Sequence, residues 1–180
     1  MAADPTTSFS GDFASDPFTS ITDVAPASDE DCSFAVSWVD YDNDAYPDLF
    51  VTRWWPSEPR LNALYHNNGD GTFSLITEAA PSKEGGALGA TWGDYDNDGD
   101  EDLFTARFAP RPTGTNNRLY RNDGKGVFAG ITDGYVVNDT VFSVHTMFGD
   151  FDNDGDLDLF AGFHHPRLQG EGLYYRNDAG

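Results

Sequence analysis

The sequence predicts an all-β fold of four-stranded antiparallel meanders, the blades of a β-propeller, with three repeats per chain. Three observations predict it. Landmarks recur every 54 to 56 residues, each repeat divides into four short strand-like runs, and one acidic loop holds the same place in every repeat. The acidic phrases start at Asp40, Asp94 and Asp150. The phrases "LYHNNGDGTFSLIT", "LYRNDGKGVFAGIT" and "LYYRNDAG" start at Leu64, Leu119 and Leu173. A third set, "FTSITDVAP", "FSLITEAAP" and "FAGITDGYV", starts at Phe18, Phe73 and Phe128.

The middle repeat shows the elements in order. "ALGATWGD" (Ala87 to Asp94) mixes small and aromatic residues and predicts an inner strand, and the acidic loop follows it. "DLFTARF" (Asp102 to Phe108) predicts the second strand, and a Pro-rich connection leads to "NRLYRND" (Asn117 to Asp123). The Gly-bearing turn "NDGKG" then delivers "VFAGIT" (Val127 to Thr132). No stretch carries sustained helical periodicity. Residues 1–16 read as an N-terminal extension and 17–180 as the three repeats. The last repeat stops at "LYYRNDAG", where a fourth strand is due, and "PFTSITDVAP" (17–26) has the sequence of that strand. Three blades are too few for a propeller ring. The expectation is therefore a homo-oligomer, either a six-bladed ring of two chains or a strand-exchanged polymer, unless the chain is part of a larger propeller.

Composition narrows the function. A formal charge of −21 argues against nucleic acid and anionic membrane surfaces, and no apolar run reaches the roughly 20 residues of a membrane span. Aromatic residues make up 14% of the chain, too many for a disordered acidic tail. The N-terminus lacks the basic and apolar regions of a signal peptide, so the chain reads as cytosolic or as a form without its leader. The single Cys32 excludes an internal disulfide and reads as a small buried residue at a strand start.

The acid is concentrated. "VDYDNDAYPDLF" (from Val39), "GDYDNDGDEDLF" (from Gly93) and "GDFDNDGDLDLF" (from Gly149) hold 15 of the 31 acidic residues. Such crowding is repulsive unless a divalent cation sits among the carboxylates. The pattern D-x-D-x-D-G-x-x-D offers hard oxygen donors in the number that suits Ca²⁺. The expected side-chain ligands are Asp40, Asp42, Asp44 and Asp48, then Asp94, Asp96, Asp98 and Asp102, then Asp150, Asp152, Asp154 and Asp158. Three Ca²⁺ per chain would pin the turn between the first two strands of each blade. An EF-hand is excluded, because the twelfth loop residues are Val51, Thr105 and Ala161. The first loop departs from the pattern, with Ala45 where Gly99 and Gly155 stand and Pro47 at position eight. It is expected to be the weakest site.

"GDYDNDGDEDLF" with "NRLYRNDGKGVF", and "FGDFDNDGDLDLF" from Phe148, resemble the FG-GAP or VCBS repeats of integrin-α-like propellers, over nearly the whole chain from Phe18. The resemblance implies a backbone carbonyl ligand at position seven, from Tyr46, Asp100 and Asp156. It also implies an extracellular or cell-surface module that works in adhesion or recognition.

The opposite face of the blades carries the second connections, "RWWPSEPR", "RFAPRPTGTNNR" and "FHHPRLQGEG", which differ between repeats and hold six of the ten basic residues. Variable loops on a rigid scaffold are a usual place for binding. Arg53, Trp54, Trp55, Arg107, Arg111, His164 and His165 are the candidate ligand-binding residues, suited to a glycan or a protein; inter-blade packing is the rival account of the aromatics. Asn138 begins the N-glycosylation pattern "NDT". No catalytic motif is found, so an enzyme is not expected. Two alternatives to a binding module stand: a self-assembling structural subunit, and a polysaccharide lyase or hydrolase, which His145, His164 and His165 would have to serve.

Overall fold

The computed structural model describes residues 18–29, 31–54, 60–107, 116–138, 143–162 and 172–178. They form three antiparallel sheets. The first is β1 (Ala35–Val39), β2 (Asp48–Thr52), β3 (Ala63–Asn67) and β4 (Phe73–Ile76), hydrogen-bonded in chain order. The second repeats this order with β5 (Ala87–Gly93), β6 (Asp102–Arg107), β7 (Arg118–Asn122) and β8 (Phe128–Ile131). The third holds β9 (His145–Gly149), β10 (Asp158–Gly162) and β11 (Leu173–Tyr175). In the middle repeat the strands fall within about a residue of the expected runs. The only helical elements among the described residues are a 3-10 turn at Ala80–Lys83 and a single turn at Tyr135–Asn138.

The sheets stack face to face, and the sequence of each strand reflects how many of its faces are covered. β2 ("DLFVT") is buried throughout, and β6 ("DLFTAR") is buried save for its last residue, so both read as near-continuous apolar runs. Between blades 1 and 2 lie Val39, Tyr41, Phe50 and Leu64, packed on Leu103, Tyr120 and Phe128. Trp92 wedges edge-on between the rings of Phe50 (5.7 Å) and Phe128 (6.0 Å). Between blades 2 and 3, Phe104 and Leu119 meet Leu159, Phe148 and Tyr175. Fully burying a Phe such as Phe50 or Phe104 contributes about 1.5–3 kcal/mol. β5 packs on both β1 and β9, which makes the first strands of successive blades neighbours.

Among the described residues the outer faces of the end blades are only partly covered, and their first strands alternate in burial accordingly. Trp38 shares a row across the sheet with Leu49, Tyr65 and Leu75, and is 63% exposed. Its counterpart in blade 2, by register with Leu103, is the wedged Trp92. On blade 3 the opposite face is the outer one, with Met147 and Tyr174 exposed beside Phe160.

Two expectations change. Cys32 is exposed and lies three residues before β1, not buried at a strand start; the strand begins only where Ala35 N–H meets Thr52 Oγ1 at 2.9 Å. The run 17–26 forms no strand over its described residues, 18–26. Phe18 and Ile21 are exposed, and Ala25 rests against Leu49, Val51, Ala63 and Tyr65 of blade 1. A strand exists only against a partner edge, and blade 3 has three strands among the described residues.

Candidate metal centres

The three acidic loops fold alike because each is held by the same local hydrogen bonds. The carboxylate at position one accepts the N–H groups of positions five and six. Asp40 takes Asp44 and Ala45 (both 3.0 Å), Asp94 takes Asp98 (3.0 Å) and Gly99 (2.9 Å), and Asp150 takes Asp154 (3.2 Å) and Gly155 (3.1 Å). Position five accepts from position seven: Asp44 from Tyr46 (2.8 Å), Asp98 from Asp100 (3.1 Å) and Asp154 from Asp156 (3.0 Å). Position nine closes the loop and ties it to the third strand. Asp48 accepts N–H from Tyr41 (3.3 Å) and Asn67 (2.7 Å), and Asp102 from Tyr95 (3.2 Å) and Asn122 (2.8 Å). Asp158 accepts from Phe151 (3.0 Å) and Asn177 (2.8 Å).

These bonds require the chain to double back. Position four is left-handed in every loop, at Asn43, Asn97 and Asn153, as is position six, at Ala45 (φ 70°), Gly99 (φ 94°) and Gly155 (φ 101°). Alanine tolerates this region poorly, at a cost of about 1 kcal/mol relative to glycine. The first loop therefore carries a strain the other two lack.

The result is converging carboxylates. Asp94, Asp96 and Asp102 offer oxygens within 4.8 Å of one another, as do Asp150, Asp152 and Asp158. In the first loop Asp40, Asp42 and Asp44 form one such group, and Asp42 and Asp48 form another with His66. Burial pushes Asp48 up to about 6 and Asp102 up to about 7. Asp42, Asp96 and Asp152 are also raised, by desolvation first and then by the next carboxylate along the loop. Buried oxygens without a hydrogen-bond partner remain on Asp42 (Oδ1) and Asp96 (Oδ1). A hard divalent cation would satisfy such oxygens and remove the repulsion, so the donor set fits one. Side chains at positions one, three, five and nine, with the carbonyls of Tyr46, Asp100 and Asp156, are the groups that could hold it.

Other residues, not expected from the sequence, stitch the loops to one another. Asn43 Nδ2 donates to Asp100 Oδ1 (2.8 Å) and Asn97 Nδ2 to Asp156 Oδ1 (2.6 Å), so position four of one loop grips position seven of the next. Asn122 Nδ2 donates to Tyr41 O (2.7 Å) and Asn177 Nδ2 to Tyr95 O (2.6 Å), again reaching back one blade. Their signal was visible, since Asn recurs in every "DND" and after every third strand, but its partners lie 57 to 82 residues away.

A four-stranded blade with this loop between its first two strands decides the family. The family profile described as FG-GAP-like repeat matches residues 40–105 and 108–161. The chain belongs to the FG-GAP-like repeat family. No curated protein matches it.

The second connections of these FG-GAP-like repeats are only partly described. Trp55, Arg111, His164 and His165 lie outside the described residues. Arg53 is engaged by Asp29, Asp31 (3.3 Å) and Tyr65 (3.0 Å), and Trp54 meets Phe34 edge-on at 6.3 Å. Arg107 reaches Glu84 (2.7 Å) and Gly85 O (2.7 Å), with Arg118 on the same carboxylate. The two arginines thus tie the approach to one blade's first strand to the end of a second strand. Asn138 is exposed and ends the single helical turn, its Nδ2 reaching Thr132 O at 3.4 Å. His145 is exposed at the start of β9. No described helix is long and apolar enough to cross a membrane.

Proposed function

We propose that this chain is a calcium-stabilised propeller module that works outside the cell by binding or assembly. The observation that carries the reading is the threefold recurrence of one hydrogen-bonded loop whose carboxylates converge and are raised by burial. Ca²⁺ suits these loops because they offer many oxygens on a pliable backbone, and extracellular calcium at millimolar levels fills even weak sites of this kind. The ion supplies positive charge that fixes the β1–β2, β5–β6 and β9–β10 turns; the Asn43–Asp100 and Asn97–Asp156 bonds carry that order from blade to blade. The second connections then stand on a rigid frame as the place for a glycan or protein ligand. Calorimetric titration of the metal-stripped chain tests the reading. Up to three Ca²⁺ bound with a rise in Tm supports it, and neither binding nor a rise rejects it.

Assembly is favoured by exposed apolar residues on the two outer faces. Inside the chain, the Trp92 face of blade 2 covers the Phe50 face of blade 1. The outer faces that carry the exposed Trp38 and the exposed Met147 and Tyr174 are the same two surfaces, which no further blade covers among the described residues. A second copy of the chain, docked head to tail, covers both and gives a six-bladed ring. Light scattering in calcium should then give twice the 19.7 kDa chain mass. Very large species point to the strand-exchanged polymer instead, and a monomer rejects self-assembly.

A further inference from the structure

Blade 1 differs from its neighbours at one residue beside the acidic loop. By strand register Tyr65, Tyr120 and Tyr175 are equivalent, opposite Leu49, Leu103 and Leu159. The next residue is Arg121 in blade 2 and Arg176 in blade 3, but His66 in blade 1. Arg176 Nη1 lies 3.9 Å from Asp152 Oδ2, so this position overlooks the loop of its own blade. A guanidinium has no lone pair to offer a cation, whereas a neutral imidazole does.

His66 is placed as a ligand would be. Its Nδ1 is 3.2 Å from Asp42 Oδ2 and 3.2 Å from Asp48 Oδ1, and the ligand atoms of the three residues lie within 4.8 Å of one another. Neither oxygen meets Nδ1 in hydrogen-bond geometry, so Nδ1 is a buried nitrogen without a hydrogen-bond partner; Asp42 Oδ1 is a buried oxygen in the same condition. Donors bound at about 2.0–2.2 Å around one zinc-like ion stand roughly 3.0–3.5 Å apart. The spacing therefore suits a shared ion. Asp48 is fully buried and held by two backbone N–H groups, which fixes its side of the site.

We infer that Asp42, Asp48 and His66 make the first loop a mixed nitrogen–oxygen site for a transition-metal dication of the Zn²⁺ or Co²⁺ type, while the second and third loops keep all-oxygen calcium sites. Imidazole favours such ions over Ca²⁺, and carboxylates accept both. The same loop has Ala45 at φ 70° and Pro47 where the other loops have Glu101 and Leu157, departures from the calcium pattern that coincide with the added nitrogen. The inference rests on reading the acidic loops as cation sites.

The test is to strip the full chain of metal, saturate it with millimolar Ca²⁺, and titrate Co²⁺ by visible absorption. Two variants are titrated alongside: His66→Arg, which installs the residue of the other blades, and His66→Gln. The expected result is one Co²⁺ per chain in the presence of calcium, displaced by Zn²⁺. Both variants should weaken it about 100-fold or more, since loss of even a partner of a metal ligand costs 10- to 100-fold. Each variant should keep its calcium-dependent rise in Tm, which also shows that it is folded; if one variant fails to fold, the other decides. Equal Co²⁺ uptake by wild type and variants, or exclusion of Co²⁺ by calcium, overturns the inference and leaves the calcium reading standing. No rise in Tm with calcium in the wild type rejects the cation reading and this inference with it.

Discussion

Removing the metal should reverse the usual dependence of stability on pH. Asp102 is fully buried, with both oxygens accepting backbone N–H groups, and burial pushes it from 3.8 to about 7; Asp48 is likewise buried and pushed to about 6. In the unfolded chain both are ionised above pH 4. In the folded, metal-free chain they keep their protons until about pH 6 to 7. The folded state then binds more protons across that window, so stability falls as pH rises through it. At about 1.4 kcal/mol per pH unit, and discounted for solvent screening, the loss is on the order of a few kcal/mol for the two together, the larger share from Asp102. Asp42, Asp96 and Asp152 act in the same direction. Asp29 acts the other way: its bonds to Tyr65 and Arg53 hold it below 3.8, so its contribution is lost only as pH falls below about 4. Urea unfolding followed by tryptophan fluorescence at pH 5.0, 6.0 and 7.5 measures this on stripped and calcium-saturated protein. The stripped protein should be most stable at pH 5, and the gain from calcium should grow with pH, because the ion binds the ionised carboxylates. A stripped protein whose stability stays flat or rises between pH 5 and 7.5 would refute the argument.

Three further outcomes follow from named contacts. Asn122→Ala removes the donor to Tyr41 O and Glu101 O and should cost about 2 kcal/mol in urea unfolding; Asn67→Ala, whose Nδ2 reaches only Pro47 O of its own blade, should cost less. Gly89→Ala places a Cβ 2.3 Å from Val144 O, where β5 meets the approach to β9, so it should cost about 2 kcal/mol or more and separate blades 2 and 3. Ala45→Gly relieves the left-handed strain at φ 70° and should stabilise the metal-free fold by about 1 kcal/mol in urea unfolding, and an unchanged or lower stability counts against the strain.

The sequence by itself determined the period, the strands and the acidic loops, because these depend on neighbours close along the chain. The carboxylate-to-amide bonds of each loop span two to seven residues, so "DxDxDGxxD" carries its own turn wherever the blade is placed. The β6 run is apolar because blade 2 is covered on both faces, and β2 and β10 repeat its "DLF" start, which leaves a mark on composition alone. The tertiary structure decided what lies far apart along the chain. It paired Asn177 with Tyr95, 82 residues away, turned Arg53 and Arg107 inward onto Asp29 and Glu84, and brought His66 from the third strand to the first loop. It also left Cys32 exposed and Phe18–Pro26 without a strand. A carboxylate can read its neighbour two residues on, but a side chain that bonds across blades, or a strand that needs an edge, depends on surfaces that exist only after the sheets have stacked.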